Sequence, residues 1–326
     1  MEITTTVVNN SLSFNDSCSD IMMGRNNTLD LFHLIIFLFI LLFGTIFNST
    51  GISVFYFKMK TYTETRVFIM SLLLSDFCLL FTIPFRIFFL INKYGYGQSI
   101  CQTVLFSYFL NLYSSIAIIT LISVDRYLAI KFPLKSRILR SPTKAAVACG
   151  IVWLLLCASQ FGIVYSGDLE FVPGFCFQKV IKRPLKRSLY LSILGFYIPL
   201  PIVIFCSVEI IRTLKKKSTT TVYEQQCIKK SIYLVLTNLI VFIVCFLPLQ
   251  IGNVARFVIE YLKLDCTHIK NINDFVYAVQ PVADLNCCLD AIYYYLVATE
   301  FSGKLSNSKQ VSITNPLKEQ TQETHM

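Results

Sequence analysis

The sequence predicts an all-α membrane protein, a seven-transmembrane helix bundle with a short amphipathic helix after the seventh span. Three observations predict it. Hydrophobic residues make up 55 % of the 326 residues and charged residues 15 %, with 28 Phe, 17 Tyr and a mean hydropathy of +0.61, so lipid is the solvent for most of the chain. Seven long stretches each reach the roughly 20 mostly apolar residues that a bilayer crossing needs. Basic residues gather in alternate connections between them, as topogenic charge does. The stretches are continuous and lack the alternation of lipid-facing strands, which excludes a barrel.

Residues 1–30 read as an extracellular tail, 31–298 as the membrane domain, and 299–326 as a short helix with a cytoplasmic tail. The first 30 residues lack the apolar core of a cleavable signal, so the first span is expected to direct insertion. Sequons at Asn9, Asn15 and Asn26 suit an outside tail, whereas Asn48-Ser49-Thr50 lies inside the first span, beyond the transferase's reach. The first span, Leu31 to Phe57, is followed by Lys58, Lys60 and Arg66, and the second runs from Arg66 to Leu90. The third, Ser99 to Ile130, is followed by Lys131, Lys135, Arg137, Arg140 and Lys144, where the fourth begins on its way to Tyr165. The fifth, Arg187 to Leu214, ends among Arg212, Lys215, Lys216 and Lys217. The sixth, Gln225 to Ile259, starts with Lys229 and Lys230, and the seventh runs from Asn273 to Val297. The positive-inside rule then puts the N-terminus outside and the C-terminus in the cytoplasm.

Much of the net charge of +10 is thus topogenic, and no nucleic-acid partner is expected. His33, His268 and His325 are the only histidines and none has partners at metal or triad spacing, which argues against an enzyme. A transporter would also suit seven spans with buried carboxylates, but neither an internal repeat nor paired broken helices are visible. Of the twelve cysteines only Cys18, Cys101, Cys176 and Cys266 fall outside, where disulfides persist. Three pairings are open to them. A Cys101–Cys176 bond would pin the second outer loop over the bundle, and Cys18–Cys266 would then tie the tail to the top of the seventh span.

One marker residue or motif per span carries a resemblance. These are Gly44 and Asn48; Asp76 in Leu74-Ser75-Asp76; Asp125-Arg126-Tyr127 closing the third span; Trp153; Pro199; and Phe242, Cys245 and Pro248. In this order and at these depths they resemble the rhodopsin-like family of G-protein-coupled receptors. Pro84 in Thr82-Ile83-Pro84-Phe85 and the tail-to-third-loop cysteines are similar to the branch near the purinergic receptors. Leu139-Arg140-Ser141-Pro142 and Asn286-Cys287-Cys288-Leu289-Asp290 resemble the orphan-type subgroup numbered thirty-five and fifty-five, associated with kynurenic acid and lysophosphatidylinositol respectively. The Asp290-Ala291-Ile292 run and residues Thr143 to Val147 favour the first.

The resemblance implies roles for particular residues. Arg126 would be held by Asp125 and released to meet a heterotrimeric G protein of the inhibitory or twelve/thirteen class, with Tyr127, Phe242, Pro248 and Tyr294 in the same switch. Relatives often add an acid at the base of the sixth span. Ile228 stands there, with Glu224 a turn away, so Asp125 is expected to be the main restraint and some basal activity is expected. Phe246 replaces a common tryptophan, Ser207 a tyrosine, and Ala291 a proline, which predicts a straighter seventh helix there. The intact triplet argues against a non-signalling decoy. No cofactor is expected beyond a sodium ion as a possible allosteric ligand, held by Asp76, Asn111, Ser115, Asn286 and Asp290. The alternative is a hydrogen-bond network sharing a proton.

Tyr108 stands where amine receptors carry their aspartate, and no lysine lies between Asn273 and Val297 for a Schiff base. Cations facing the outer half are Arg86, Arg256 and the cluster Lys179, Lys182, Arg183, Lys186 and Arg187. Guanidinium suits carboxylate and phosphate, so an anionic ligand is expected, its aromatic or acyl body resting on Tyr108, Phe109 and Phe246, beside Asn253. The kynurenic-acid-responsive relative has an arginine one turn below Tyr108. Leu112 stands there, so the anion must be caught higher, and a lysophospholipid fits as well as an aromatic acid. Arg86 has the alternative of a structural pair with Asp284, and the loop cluster that of a solvated face near lipid headgroups. Ser302, Ser306, Ser308, Ser312, Thr314, Thr321 and Thr324 are expected to serve receptor kinases and arrestin. Phe301 and Leu305 are expected to hold the last helix to membrane lipids.

Overall fold

The computed structural model describes residues 24, 26–58, 62–92, 97–165, 176–177, 179, 184–217 and 221–290. Among them, six helices are long and apolar enough to cross a membrane: Asn27–Ser53, Glu64–Ile91, Gln98–Lys131, Pro142–Gly162, Lys186–Lys216 and Glu224–Tyr261. A seventh helix, Cys266–Asp284, resumes after a turn at Leu285 and continues to Asp290. No strand occurs among the described residues, and the all-helical membrane bundle is the expected one. The third span is the most enclosed and packs against the second, fourth and fifth.

Among the described residues five helix starts carry a side-chain cap, from Asn26, Thr63, Ser141, Thr221 and Asp265. Such caps satisfy amide donors that helix geometry leaves free. Asp265 starts the seventh helix one to two turns before the apolar run, because Thr267, His268, Lys270 and Asn271 are too polar for hydropathy to include. A further short helix that hydropathy does not reveal, Pro133–Leu139, lies between the third and fourth spans, with Pro133 in its first turn.

The fifth and sixth spans each contain one widened turn, Ile193–Tyr197 and Phe242–Phe246. Each immediately precedes a proline, Pro199 or Pro248. Proline lacks an N–H and crowds the preceding turn, and a π-type turn such as Ile198 N–H to Ile193 O (3.0 Å) takes up that mismatch. The two widened turns meet, with the Phe196 and Phe242 rings stacked at 5.3 Å. In the seventh helix the expected straightening at Ala291 lies outside the described residues. An irregularity occurs earlier, at Leu285, four residues after Pro281.

Polar ties hold the spans in register. Trp153 Nε1 donates to Ser71 Oγ (2.9 Å), joining the fourth span to the second. Asn48 Nδ2 donates to the carbonyls of Gly44 and Cys287, joining the first to the seventh. Cys101 and Cys176 form a disulfide with Cα atoms 5.7 Å apart. Cys266 is also disulfide-bonded; Cys18, its expected partner, lies outside the described residues, as do Asn9, Asn15 and the short helix from Thr299.

Gly195, in the widened turn of the fifth span, is where the backbone comes closest to a neighbour. A Cβ there would stand 2.6 Å from Tyr113 Cδ1. Overpacking of this kind costs about 1–3 kcal/mol. Gly195→Ala is expected to lower the melting temperature of the purified receptor, and Tyr113→Leu in the same chain to restore part of the loss. An unchanged melting temperature in Gly195→Ala would mean that the fifth span gives way instead.

Candidate functional site

Three cations converge at the disulfide end of the bundle. Arg86, on the second span, donates through Nη1 to Asp284 Oδ2 on the seventh at 2.6 Å, both side chains being 2 % exposed. Its guanidinium carbon lies over the rings of Phe37, Tyr108 and Phe177, at 4.3, 4.9 and 4.5 Å. An ion pair taken out of water needs such additional contacts. Phe177 follows the bridged Cys176, so the disulfide brings one wall of this box from the loop. The structural pairing of Arg86 is therefore the arrangement observed, and its Nη2 makes no hydrogen bond.

Lys179, two residues further along the loop, pairs with Glu260 at the end of the sixth span, and its carbonyl accepts from Asn273 Nδ2 (3.2 Å) on the seventh. Burial pushes the Lys179 ammonium down to about 8, against the pull of the Glu260 carboxylate. Arg256 is different. Its Nη2 donates to the neutral Asn253 Oδ1 (3.1 Å), and among the described residues no carboxylate lies within ion-pair distance. Its side chain is half-buried. Asp284 pairs with Arg86 and Glu260 with Lys179, while Glu260 also attracts Arg256 without an ion-pair contact.

Buried polar atoms without a hydrogen bond cluster in the same region. They are Arg86 Nη2, the Tyr108 hydroxyl, Glu260 Oε1, Asn273 Oδ1 and Gln280 Oε1. Each costs about 1–3 kcal/mol unless something satisfies it. Tyr108 is in electrostatic reach of both Arg86 and Arg256. Beneath it Leu112 and Phe246 are fully buried, and Phe109 packs edge-on against Tyr108 at 5.1 Å. Arg187 points elsewhere, donating to the Ser159 carbonyl of the fourth span (3.0 Å). Arg183 lies outside the described residues.

Midway along the bundle, Ser75 is the hub of a polar network. Its hydroxyl meets Ser114 (2.6 Å) and Ser115 (3.0 Å), and Asn111 Nδ2 donates to its carbonyl (2.9 Å) and hydroxyl (3.1 Å). Asp76 and Asp290 are buried beside it, both within electrostatic reach of Cys287 and Cys288, and Asn286 Nδ2 donates to Asp290 Oδ2 (3.4 Å).

At the opposite end Asp125 is clasped by Arg140, Nε to Oδ1 at 2.6 Å and Nη2 to Oδ2 at 2.8 Å. The expected pairing of Asp125 with Arg126 is not what forms. The planar fork of Arg140 matches the carboxylate bidentately, which a sequence neighbour on the same helix turn does not achieve. Arg140 also reaches Glu64 at 3.9 Å. Arg126 donates instead to Thr65 on the second span. Tyr127 packs against Phe132 and Phe205. A recess of about 260 Å³, open mouth included, lies beside Arg126 and is lined by Ile122, Ser207, Ile210, Leu234 and Asn238. The small side chain of Ser207 borders it. Tyr294 lies outside the described residues.

Sequence reasoning missed Glu260, Gln250, Ser192 and the Arg140–Asp125 contact. An acid one helical turn beyond Arg256 was a usable signal for Glu260. Arg140 stands inside a quoted motif, but nothing in the spacing of a loop residue says which carboxylate it will reach.

The chain matches the family model "7 transmembrane receptor (rhodopsin family)" over residues 47–294. It is 37 % identical over 262 residues to human G-protein coupled receptor 35, covering 80 % of this chain and 82 % of that one. It is 29 % identical over 294 residues to human lysophosphatidic acid receptor 4 (86 % and 78 %), and 31 % over 275 residues to mouse G-protein coupled receptor 55 (81 % and 84 %).

The Lys179–Glu260 tie yields a pH dependence. Because the folded-state value near 8 lies below the ordinary lysine value of 10.5, the unfolded chain holds more protons between the two. This group's contribution to global stability therefore rises with pH in that window. The local tie behaves oppositely: it is intact below about 8 and lost as the ammonium deprotonates. Amide exchange in the sixth span near Glu260 is expected to quicken from pH 7 to pH 9 beyond the intrinsic rate. Lys179→Arg, which stays charged, is expected to remove that excess.

Proposed function

Because the chain belongs to the rhodopsin family of seven-transmembrane receptors, we propose that it is a plasma-membrane receptor for an anionic small molecule or lysophospholipid. It signals through heterotrimeric G proteins of the inhibitory or twelve/thirteen class. On this reading the disulfide end faces outward and the Asp125 end faces the cytoplasm. The observation that carries the ligand class is Arg256, bonded to the neutral Asn253 and in ion-pair contact with no described carboxylate, near two unused donors, Arg86 Nη2 and the Tyr108 hydroxyl. A carboxylate or phosphate between them would neutralise the charge and use both donors. Its aromatic or acyl body would rest on Tyr108, Phe109, Leu112 and Phe246. At the other end Leu134 and Ile138, 82 % and 81 % exposed on the short helix, offer a G protein apolar contacts beside the Arg126 recess. Receptor kinases and arrestin would act on the serines and threonines after Phe301.

The two buried carboxylates Asp76 and Asp290, with the hydroxyls of Ser75 and Ser115 and the Asn111 and Asn286 carbonyl oxygens, form an all-oxygen donor set of the kind a small hard cation takes. We assign it to sodium. Bound there, the ion would relieve carboxylate repulsion and hold the second, third and seventh spans together.

Arg256→Gln is expected to raise the effective concentration of acidic agonists about 100-fold at normal surface level, the loss of a buried charge-assisted contact. Arg86→Ala is expected to lower surface level or melting temperature, because it strands the Asp284 carboxylate, at a cost of about 3–5 kcal/mol. The measurement is G-protein dissociation in cells given aromatic acids and lysophosphatidic acid. Full potency in Arg256→Gln would rule out the anchor. For the ion, Asp76→Asn is expected to abolish the change in agonist affinity between sodium and a bulky organic cation, and a preserved change would exclude the site.

A further inference from the structure

The fifth and sixth spans each carry an outward-facing stripe that ends in cations on the Asp125 side. On the fifth, Ile198, Phe205 and Arg212 recur at heptad spacing, so they share one helix face, and all three are exposed. Lys216, also exposed, lies one turn beyond. On the sixth, the exposed face of Val244, Ile240 and Tyr233 runs down to exposed Lys230 and Lys229. An apolar face on a membrane span is turned to lipid, and an exposed tyrosine on it marks the headgroup level. Arg212 lies two residues beyond Ile210, and Lys230 four residues before Leu234, rises of about 3 and 6 Å. Ile210 and Leu234 line the same inward recess, so the two cation groups end their stripes at similar depth on adjoining helices. Lys131 and Arg212 share the carboxylate of Glu209 (2.9 and 3.2 Å). Among the described residues Lys215, Lys216, Lys217, Lys229 and Lys230 pair with no carboxylate. Topogenic charge requires only that these residues stay on one side of the membrane. It does not require them on the lipid-facing sides of two neighbouring helices.

We propose that Arg212 and Lys216 of the fifth span, with Lys229 and Lys230 of the sixth, seat one polyphosphorylated inositol lipid of the inner leaflet, whose headgroup bridges the two spans. This rests on the reading that the Asp125 end faces the cytoplasm. Each basic residue just beyond a span strengthens binding of an anionic headgroup about fivefold. An inositol bearing several phosphates carries separate, nearly doubly charged groups, and so meets cations on both helices at once. Phosphatidylserine, with a single net negative charge, meets them on one. The lipid's acyl chains lie along Phe205, Tyr233 and Ile240, which already face lipid, and the lysine stems rest on the same surface while their heads reach phosphate. The effect falls on the sixth span. Among the described residues no ion pair ties its base to the fifth, and the headgroup supplies that tie from outside. Holding the two bases together opposes their parting and lowers basal signalling.

The test uses the purified full-length receptor in phosphatidylcholine nanodiscs containing either phosphatidylinositol bisphosphate or phosphatidylserine at matched total charge. Bound lipid is quantified by native mass spectrometry over a range of lipid content. Amide exchange is followed over residues 222–233, the base of the sixth span. The bisphosphate lipid is expected to bind the wild type and slow exchange there, and the serine lipid to do neither. Lys229→Gln with Lys230→Gln, and separately Arg212→Gln with Lys216→Gln, should each weaken binding about 25-fold, the share of two cations. Both should abolish the slowing. Lys135→Gln, on the short helix Pro133–Leu139, should change neither. An equal response to phosphatidylserine, or as large a loss in Lys135→Gln, would mean diffuse surface charge and overturn the seat. Binding that survives either double variant, or that leaves exchange unslowed, overturns the bridge. Soluble inositol trisphosphate binding as tightly as the lipid overturns the lipid as occupant. Trypsin cutting between the fifth and sixth spans on intact cells overturns the cytoplasmic placement itself, and the inner-leaflet lipid with it, whatever the nanodiscs show.

Discussion

Arg86 and Asp284 meet inside a box made by Phe37, Tyr108 and Phe177, and the disulfide end of the bundle is arranged around that meeting. The pair joins the second span to the seventh, while the rings come from the first span, the third span and the disulfide-linked loop. Neither charge is tolerable alone in so dry a place. Each wall of the box therefore constrains the others. Asp284 takes up Arg86 and Glu260 takes up Lys179, so among the described residues Arg256 is the cation of the three without an ion-pair contact. The proposed ligand class rests on that difference more than on the number of basic residues.

The sequence was most readable where one physical rule acted alone. Bilayer thickness and hydropathy placed six spans to within a few residues. The seventh began earlier because its first turns are polar and capped by Asp265, which a search for apolar runs does not see. The helix Pro133–Leu139 was invisible for a related reason, being only seven residues long and mixed in polarity. The Arg86–Asp284 contact was legible as one of two alternatives, since a buried arginine and a buried aspartate near one depth are natural partners. Arg140 as the holder of Asp125 was not legible. Its partner is set by how the loop folds back, and several carboxylates were equally available. Gln250 gave no signal, because its neighbour Tyr113 on the third span is set by packing that spacing does not reveal.

The two ends of the bundle differ in how the sixth span is held. At the Arg126 end, Asp125 is tied to Arg140 and Glu64, Arg126 to Thr65, and Lys131 to Glu209, which also binds Arg212. These ties hold the second, third and fifth spans. Among the described residues, no ion pair joins them to the Glu224 end of the sixth. At the disulfide end the sixth span is held by the Lys179–Glu260 contact and borders the Arg256 charge. Between the ends lies the widened turn Phe242–Phe246 followed by Pro248, where backbone hydrogen bonding is weakest. A rigid segment held at one end, unheld at the other and softened in the middle is a lever. An anion drawing Arg256 toward Arg86 and Tyr108 would act on the held end. The far end, bordered by a recess where Ser207 leaves space, would be free to answer. On the proposed receptor reading, basal activity would come from the lack, among the described residues, of an ion pair at the base of the sixth span. It does not require weakness in the Asp125 contact, which is bidentate and strong.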